Sequence, residues 1–237
     1  MRINSLVDEG ELEKAVVTLP AEESHHLARV LRVQPGQEIT LFDGQGGVAD
    51  AVIESVSKSA VEVRISKHWK VPPPTVQIDL IQAVPKPDRW ELVLQKAVEL
   101  GATNIQPVLT QHTDFKPTLK KQERWQKIVF NAAQQCEVRW LPKLHPLKKM
   151  DAILPQLEGY DLVLIGSLYE GTQPFREVSL KGKKKIALLI GPEGDFSKEE
   201  VDAAMQAGAI PVSFGDRILR TETAAIFGLS VLAYELL

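Results

Sequence analysis

The sequence predicts two domains: a small β-rich domain with one helix over residues 1–70, and an α/β domain with a mostly parallel sheet over residues 75–237. Three observations carry this. From residue 75 onward, strand-like apolar runs alternate with helical patterns, the order that builds parallel sheets. Before residue 70, three strand-like runs follow one another with only short turns between them, as consecutive antiparallel strands do. The two regions meet at Lys70-Val71-Pro72-Pro73-Pro74, where three prolines remove three backbone donors and favour an extended spacer.

In the first domain, Glu22 to Leu31 is helical in pattern, with Leu27, Val30 and Leu31 on one face and Arg29 and Arg32 left to solvent. The strands QEITLF, VADAVIESV and AVEVRI follow. Gly44, Gly46 and Gly47 come after a strand, as in a dinucleotide loop. The next element is again a strand, however, so the stretch is read as a hairpin turn. His25-His26 lack a nearby histidine or cysteine to complete a metal site, and no metal site is predicted.

In the second domain, strand VQIDLIQ leads to Pro85-Lys86-Pro87. Asp88 with Glu91 has the spacing of a capping box. Trp90, Leu94, Ala97 and Val98 form the buried stripe of a helix ending at Gly101. Strand NIQPVLT precedes a second helix, about Gln122 to Gln135, which buries Trp125, Ile128, Val129, Ala132, Ala133 and Cys136 and turns Arg124, Lys127, Asn131 and Gln134 outward. Cys136 is read as packing rather than as a nucleophile. A strand from Asp161 to Ile165 is followed by GSLYEG and a lysine-rich turn, Lys181 to Lys185. The apolar run Ile186 to Ile190 has the pattern of a strand buried on both faces. It ends in Gly191-Pro192-Glu193-Gly194. Ser197 with Glu200 is a second capping box, opening a helix that stops at Gly208. The strand Pro211 to Phe214 reaches a turn at Gly215, and a last helix carries Ile226, Phe227, Leu229, Val231, Leu232, Leu236 and Leu237 in almost every direction. Such a helix must be buried on more than one side. One face suits its own sheet and the other a second copy, giving a symmetric dimer with Leu232 at the interface.

The chain has 237 residues, 44% of them apolar and 25% charged, with one cysteine and a net charge of −3. No run approaches a membrane span and no signal-peptide core opens the chain, so the expected location is the cytoplasm. The charge is uneven: residues 84–149 carry twelve Lys/Arg against six Asp/Glu, while both flanks are acidic. A polyanion is therefore expected to meet the middle of the chain.

Two glycine-bearing strand exits near the carboxyl end should lie side by side at the carboxyl edge of one sheet, where open α/β sheets bind ligands. GPEG alone is a common turn. GPEGDFS followed by FGDRILRTETA is far more specific, and with LVLQKAVELGATNIQPVLTQHT, ERWQKIVFNAAQQC and HHLARVLRVQPGQEITLFDGQGG it resembles the RsmE-type enzymes. These methylate N3 of a uridine in small-subunit ribosomal RNA and belong to the SPOUT superfamily. The resemblance covers nearly the whole chain. It implies a PUA-like β-barrel over residues 1–70, used on RNA, and a SPOUT methyltransferase domain with a trefoil knot over 75–237. Fold rules alone would have drawn an unknotted sheet. It also implies a homodimer whose partner completes each active site. Four stretches depart from the family's usual pattern: Asn4-Ser5 for an aromatic pair, His112 for an arginine, Glu137-Val138 for a Gly-Arg pair, and Asp195 for a glycine.

The implied cofactor is S-adenosyl-L-methionine, which needs backbone groups to read its adenine and an exposed sulfonium methyl; glycine-bearing loops supply such groups. The expected cofactor residues are Ile165, Gly166, Leu189, Ile190, Gly191, Pro192, Glu193, Gly194, Phe214, Gly215, Ile218, Leu219, Thr221 and Ala224. Methylation of uridine N3 displaces a proton, so a cation that stabilises the developing anion is needed. Arg220 is the candidate, with Glu222, Thr221 and Thr223 as orienters or proton acceptors; an ion pair of Arg220 with Glu222 or Asp216 that merely stiffens the loop is the competing reading. Arg29, Arg32, Arg89, Lys96, Arg124 and Arg139 are the expected RNA contacts, and His25-His26 are structural or RNA-facing. A SPOUT enzyme acting at another RNA position and a silent RNA-binding assembly factor stay open beside this reading. A nicotinamide dehydrogenase is disfavoured for want of its fingerprint.

Overall fold

The computed structural model describes residues 3–57, 59–114, 117–169 and 171–236. The chain divides into two compact units, residues 1–74 with 133–141, and residues 75–132 with 142–237.

The first unit is a five-stranded sheet in the order β1-β3-β4-β5-β2, built from β1 (Ile3–Leu6), β2 (Val16–Thr18), β3 (Glu38–Phe42), β4 (Gly47–Val56) and β5 (Val61–Lys70). Only the β1–β3 pair is parallel. Its core packs Leu27, Ile39, Leu41, Ile53, Val61 and Val63. The expected hairpin at Gly44–Gly47 joins β3 to β4. Residues 133–141 join this unit through backbone bonds, with Gly46 N–H donating to Arg139 (2.8 Å) and Leu141 N–H to Gly44 (2.8 Å). Gly46 lies so close to Trp140 that a Cβ there would meet the ring at 2.6 Å.

The helix between β2 and β3 corrects the expected phase. Its α1 segment covers Ala21–His25 and continues as a π-helical turn, His26–Leu31. That wider turn rotates later side chains away from where a 3.6 period would place them. Leu27 is fully buried, but Val30 is 63% exposed and Leu31 is exposed beside it. Arg32 closes the turn in the left-handed region, φ 51°.

The second unit contains β6 (Gln77–Ala83), α2 (Pro87–Glu99), β7 (Asn104–Leu109), α3 (Leu119–Gln135, its last turn belonging to the first unit), β8 (Lys143–Leu144), β9 (Lys148–Lys149), β10 (Leu162–Gly166), β11 (Gln173–Pro174), β12 (Lys185–Ile190), α4 (Lys198–Gln206), β13 (Ala209–Ser213) and α5 (Thr221–Leu236). The sheet order is β11-β13-β10-β12-β6-β7-β8, with β9 also on β7, and every pairing is parallel. On one face Ile81, Val163, Ile165, Ala187 and Leu189 pack under α4 and Met150, Ile153 and Phe196. Helices α2 and α5 pack against each other, and α5 lies on β6 and β12.

Three helix details bear on the site. The capping box of α4 is present, Ser197 Oγ accepting from Glu200 N–H and Glu200 accepting from Ser197 N–H. The expected box at Asp88–Glu91 is absent: Pro87 occupies the first helical position, Lys86 becomes the cap, and Glu91 pairs with Arg124 at 2.8 Å. Leu232 is 0% exposed within a single chain, which corrects its expected place at a dimer interface. The apolar residues that α5 leaves exposed are Phe227 and Tyr234. Gly228 explains the tight seat of α5: a Cβ there would meet Leu188 Cδ2 at 2.7 Å.

Candidate active site

Parallel strands end with their loops on one edge, and three of those loops enclose a cleft of about 260 Å³ at the carboxyl ends of β10, β12 and β13. From β10 come Gly166, Ser167 and Leu168; from β12, Ile190, Gly191, Pro192, Glu193 and Asp195. From β13 come Val212 to Gly215 and Arg217 to Thr221, while Ala224 and Arg89 close the wall from α5 and α2. This is the carboxyl edge at which α/β sheets hold ligands.

The glycines act by making room. A Cβ on Gly166 would meet the Phe214 ring at 3.0 Å and Ile190 Cδ1 at 3.3 Å; one on Gly191 would meet Phe196 N at 3.0 Å. Gly215 takes φ +110°. Among the described residues no backbone partner engages the N–H of Gly215, Ile218 or Leu219. These donors, with apolar walls from Ile190, Val212, Phe214 and Leu219, suit a flat heteroaromatic ring read through backbone groups.

A buried polar lattice beneath the cleft locks its loops together. Thr221 Oγ1 donates to Gly191 O (2.6 Å) and accepts from Gln82 Nε2 (2.9 Å), which also donates to Ala83 O (2.9 Å). Gln82 is fully buried. Its place as the polar residue closing the apolar strand VQIDLIQ is the signal that could have drawn attention to it. Asp195 takes φ 59°, the region a glycine would occupy without strain. Its carboxylate accepts from Leu168 N–H (3.2 Å) and Phe196 N–H (2.8 Å), tying the β10 and β12 exits together. His112 Nδ1 lies 3.1 Å from both Gly194 O and Asp195 O, so that nitrogen carries the proton. His112, in the loop after β7, and Asp195, in the loop after β12, are thus in contact.

Of the expected cofactor residues, eleven line the cleft: Gly166, Ile190, Gly191, Pro192, Glu193, Phe214, Gly215, Ile218, Leu219, Thr221 and Ala224. Ile165 and Leu189 lie beneath it in the core. Gly194 does not line it; a Cβ added there would meet His112 Cβ at 3.2 Å. Arg220 lines the cleft, exposed, and forms no ion pair among the described residues, so the stiffening pair with Glu222 or Asp216 is not made. Glu222 and Thr223 do not line it; Glu222 is 9% exposed behind the wall and Thr223 is exposed elsewhere. Ser167, Leu168, Asp195, Val212, Ser213 and Arg217 are lining residues that sequence reasoning missed.

The expected RNA contacts are distributed over both units. Arg29 and Arg32 are exposed in the first. Arg139 is only partly exposed there, over the Phe42 ring at 5.3 Å and 3.5 Å from Glu137. In the second, Lys96 pairs with Glu99 (2.7 Å) and Arg124 with Glu91 (2.8 Å). Arg89 is drawn into the cleft wall, where Nη1 donates to Glu193 at 3.1 Å. Among the described residues no cluster of His, Cys, Asp and Glu could hold a metal.

Titration anomalies lie away from this cleft. Asp79 accepts hydrogen bonds from Gln77, Asn104 and Tyr160 (2.6–2.7 Å), and burial together with that carboxylate pushes the Tyr160 hydroxyl well above its usual range. His145, which donates to Asn104 at 2.9 Å, is lowered by burial and then by Lys143.

A parallel α/β sheet with a glycine-lined cleft at its carboxyl edge, preceded by a small β unit, defines the class: an RNA methyltransferase domain with a PUA domain, and residues 72–233 and 19–66 match those two families respectively. The chain is 33% identical over 235 residues to the ribosomal RNA small subunit methyltransferase E of Synechocystis, covering 97% of this chain and 77% of that one. Among solved structures it resembles a putative methyltransferase of Legionella pneumophila with bound S-adenosylmethionine (34% identity, TM-score 0.91, 99% and 98% of the two chains). It also resembles the ribosomal RNA small subunit methyltransferase E of Neisseria gonorrhoeae bound to the same cofactor (30% identity, TM-score 0.88, 99% and 98%). The chain belongs to the ribosomal RNA small subunit methyltransferase E family, with its SPOUT fold.

Proposed function

We propose that this protein transfers the methyl group of S-adenosyl-L-methionine to N3 of a uridine in 16S ribosomal RNA. The observation that carries the reading is the cleft itself, with unengaged backbone donors on a glycine loop, apolar walls and three arginines, Arg89, Arg217 and Arg220, at one sheet edge. The Legionella and Neisseria structures, similar along their whole length, were determined with this cofactor. Residues Gly191–Glu193 and Gly215–Leu219 would hold it through backbone, and it supplies an electrophilic methyl on a sulfonium.

The chain's own task is then to orient uracil and to favour loss of its N3 proton as the N–C bond forms. Arg220, exposed in the cleft and without an ion pair among the described residues, stabilises the negative charge that develops on the base. Arg29, Arg32, Arg124 and Arg139 face RNA phosphates. The protein works in the cytoplasm as a homodimer, for which Phe227 and Tyr234 of α5 supply exposed apolar surface.

Incubating small ribosomal subunits from cells lacking the gene with the protein and labelled cofactor, followed by nuclease digestion and mass spectrometry, tests the whole reading. The expected product is one 3-methyluridine in 16S RNA. A methyl group on another atom or base refutes the assignment of N3, and the absence of both transfer and cofactor binding returns the chain to an RNA-binding assembly role.

A further inference from the structure

Glu222, the second residue of α5, has an Oε2 that is buried without a hydrogen-bond partner among the described residues. The cation facing it is Arg89, whose Nε lies 3.9 Å away. Arg89 is held more closely by Glu193, with Nη1 at 3.1 Å from an Oε1 that also accepts Lys86 N–H at 3.2 Å. Carboxylates from two elements therefore fix one guanidinium in the cleft wall. Arg217 and Arg220, which line the same cleft, are exposed and make no ion pair among the described residues. Five donors sit on a guanidinium, and the Nη2 edge of Arg89 has no partner among the described residues.

Charge decides what that edge can recognise. Glu193 and Glu222 already offset the charge of Arg89, so the uncompensated positive charge of the cleft sits on Arg217 and Arg220, and a phosphate is drawn there and not to the Arg89 cluster. That cluster tolerates a neutral carbonyl acceptor, for which a fixed, planar donor edge gives direction. We propose that Glu222 is a positioning residue, not a proton acceptor: with Glu193 it holds Arg89 so that its free edge donates to a carbonyl oxygen of the target uracil. This rests on the RNA-methylation reading above.

The experiment compares Arg89→Met, Glu222→Gln and the double variant, using the full-length protein, small subunits as substrate and titration with cofactor. Arg89→Met should lower kcat/KM at least tenfold, with cofactor Kd within twofold. The log–log salt slope of RNA binding should stay unchanged, because no phosphate contact is lost. Glu222→Gln should lower kcat/KM several-fold in the wild-type background and by less than twofold when Arg89 is already methionine. A slope that falls by about 0.7–0.9 makes Arg89 a phosphate contact and overturns the proposal. So do additive losses, full activity in Glu222→Gln, or a weakened cofactor Kd with kcat/KM otherwise intact. The double variant leaves no unpaired buried charge, so its salt slope decides between base and phosphate even if Arg89→Met does not fold. Failure of the underlying reading looks different: the wild-type protein itself transfers no methyl group to RNA.

Discussion

Replacing Thr221 with valine keeps the shape of a buried side chain and removes its hydroxyl. The hydroxyl donates to Gly191 O at 2.6 Å and accepts from Gln82 Nε2 at 2.9 Å. Leaving a buried partner unsatisfied costs about 1–3 kcal/mol, but both partners keep something: Gln82 Nε2 retains Ala83 O at 2.9 Å, and Gly191 O retains Gln82 Nε2 at 3.4 Å. The net cost should therefore sit near the lower end, about 1–2 kcal/mol, which for a chain of this size lowers Tm by roughly 2–8 °C. Because Gly191 opens the cofactor loop, cofactor affinity should fall as well, by about threefold to tenfold, or roughly 0.7–1.4 kcal/mol. Differential scanning calorimetry and titration calorimetry on the same preparation measure both effects. A variant with unchanged Tm and unchanged Kd would show that the Gln82–Thr221–Gly191 lattice does not set the loop.

Other substitutions separate packing from assembly. Gly228→Ala forces Leu188 or α5 to move, since the new Cβ would meet Leu188 Cδ2 at 2.7 Å; a loss of about 1–3 kcal/mol in denaturant unfolding is expected. Leu232→Glu places a charge in the core of a single chain and should give insoluble or unfolded protein, whereas Tyr234→Glu, at a position 88% exposed, should stay folded and sediment as monomer. Acid should weaken the wild-type protein through His145. Burial, then Lys143, lowers its folded value, so its contribution is complete above the unfolded value of about 6.5 and is lost as pH falls below it. In His145→Gln, melting between pH 7 and pH 5 should show a shallower decline.

What the sequence disclosed depended on how local each cause was. Ser197 and Glu200 were legible because a capping box closes within four residues, with both bonds made inside the segment that spells it. Asp88 and Glu91 have the same spacing, yet Pro87 takes the first helical position and moves the cap to Lys86. Val30 and Leu31 were placed on the buried face by a period of 3.6, which a π-helical turn breaks. Most of the cleft was readable from its glycine loops. Its missed walls, Ser167, Leu168 and Val212, are ordinary residues made into a site by the parallel pairing of β10 with β13. The link from Arg89 to Glu222 spans more than a hundred positions and leaves no periodic trace. Departures from the family pattern proved informative where backbone angle was at stake. Glu137 and Asp195, where the resemblance implies a glycine, take φ 58° and 59°, a left-handed backbone of the kind glycine adopts without strain. The expected trefoil knot leaves no mark on hydrophobic periodicity, which reports faces and not the order in which strands are threaded.

The strand order has a consequence for how this chain is made. One edge of β6 pairs with nearby β7, but the other pairs with β12, Gln77 against Lys185. Until those last strands leave the ribosome, the buried run Ile78–Ile81 keeps one open backbone edge and no α5 above it. At about 5–20 residues per second, that interval is on the order of five to twenty seconds. During it, a sticky apolar strand stays open to its surroundings, and a holdase chaperone that recognises extended apolar backbone would find its best target there. A stall placed by rare codons between residues 110 and 185 should therefore raise the yield of aggregated protein more than the same stall placed after residue 215.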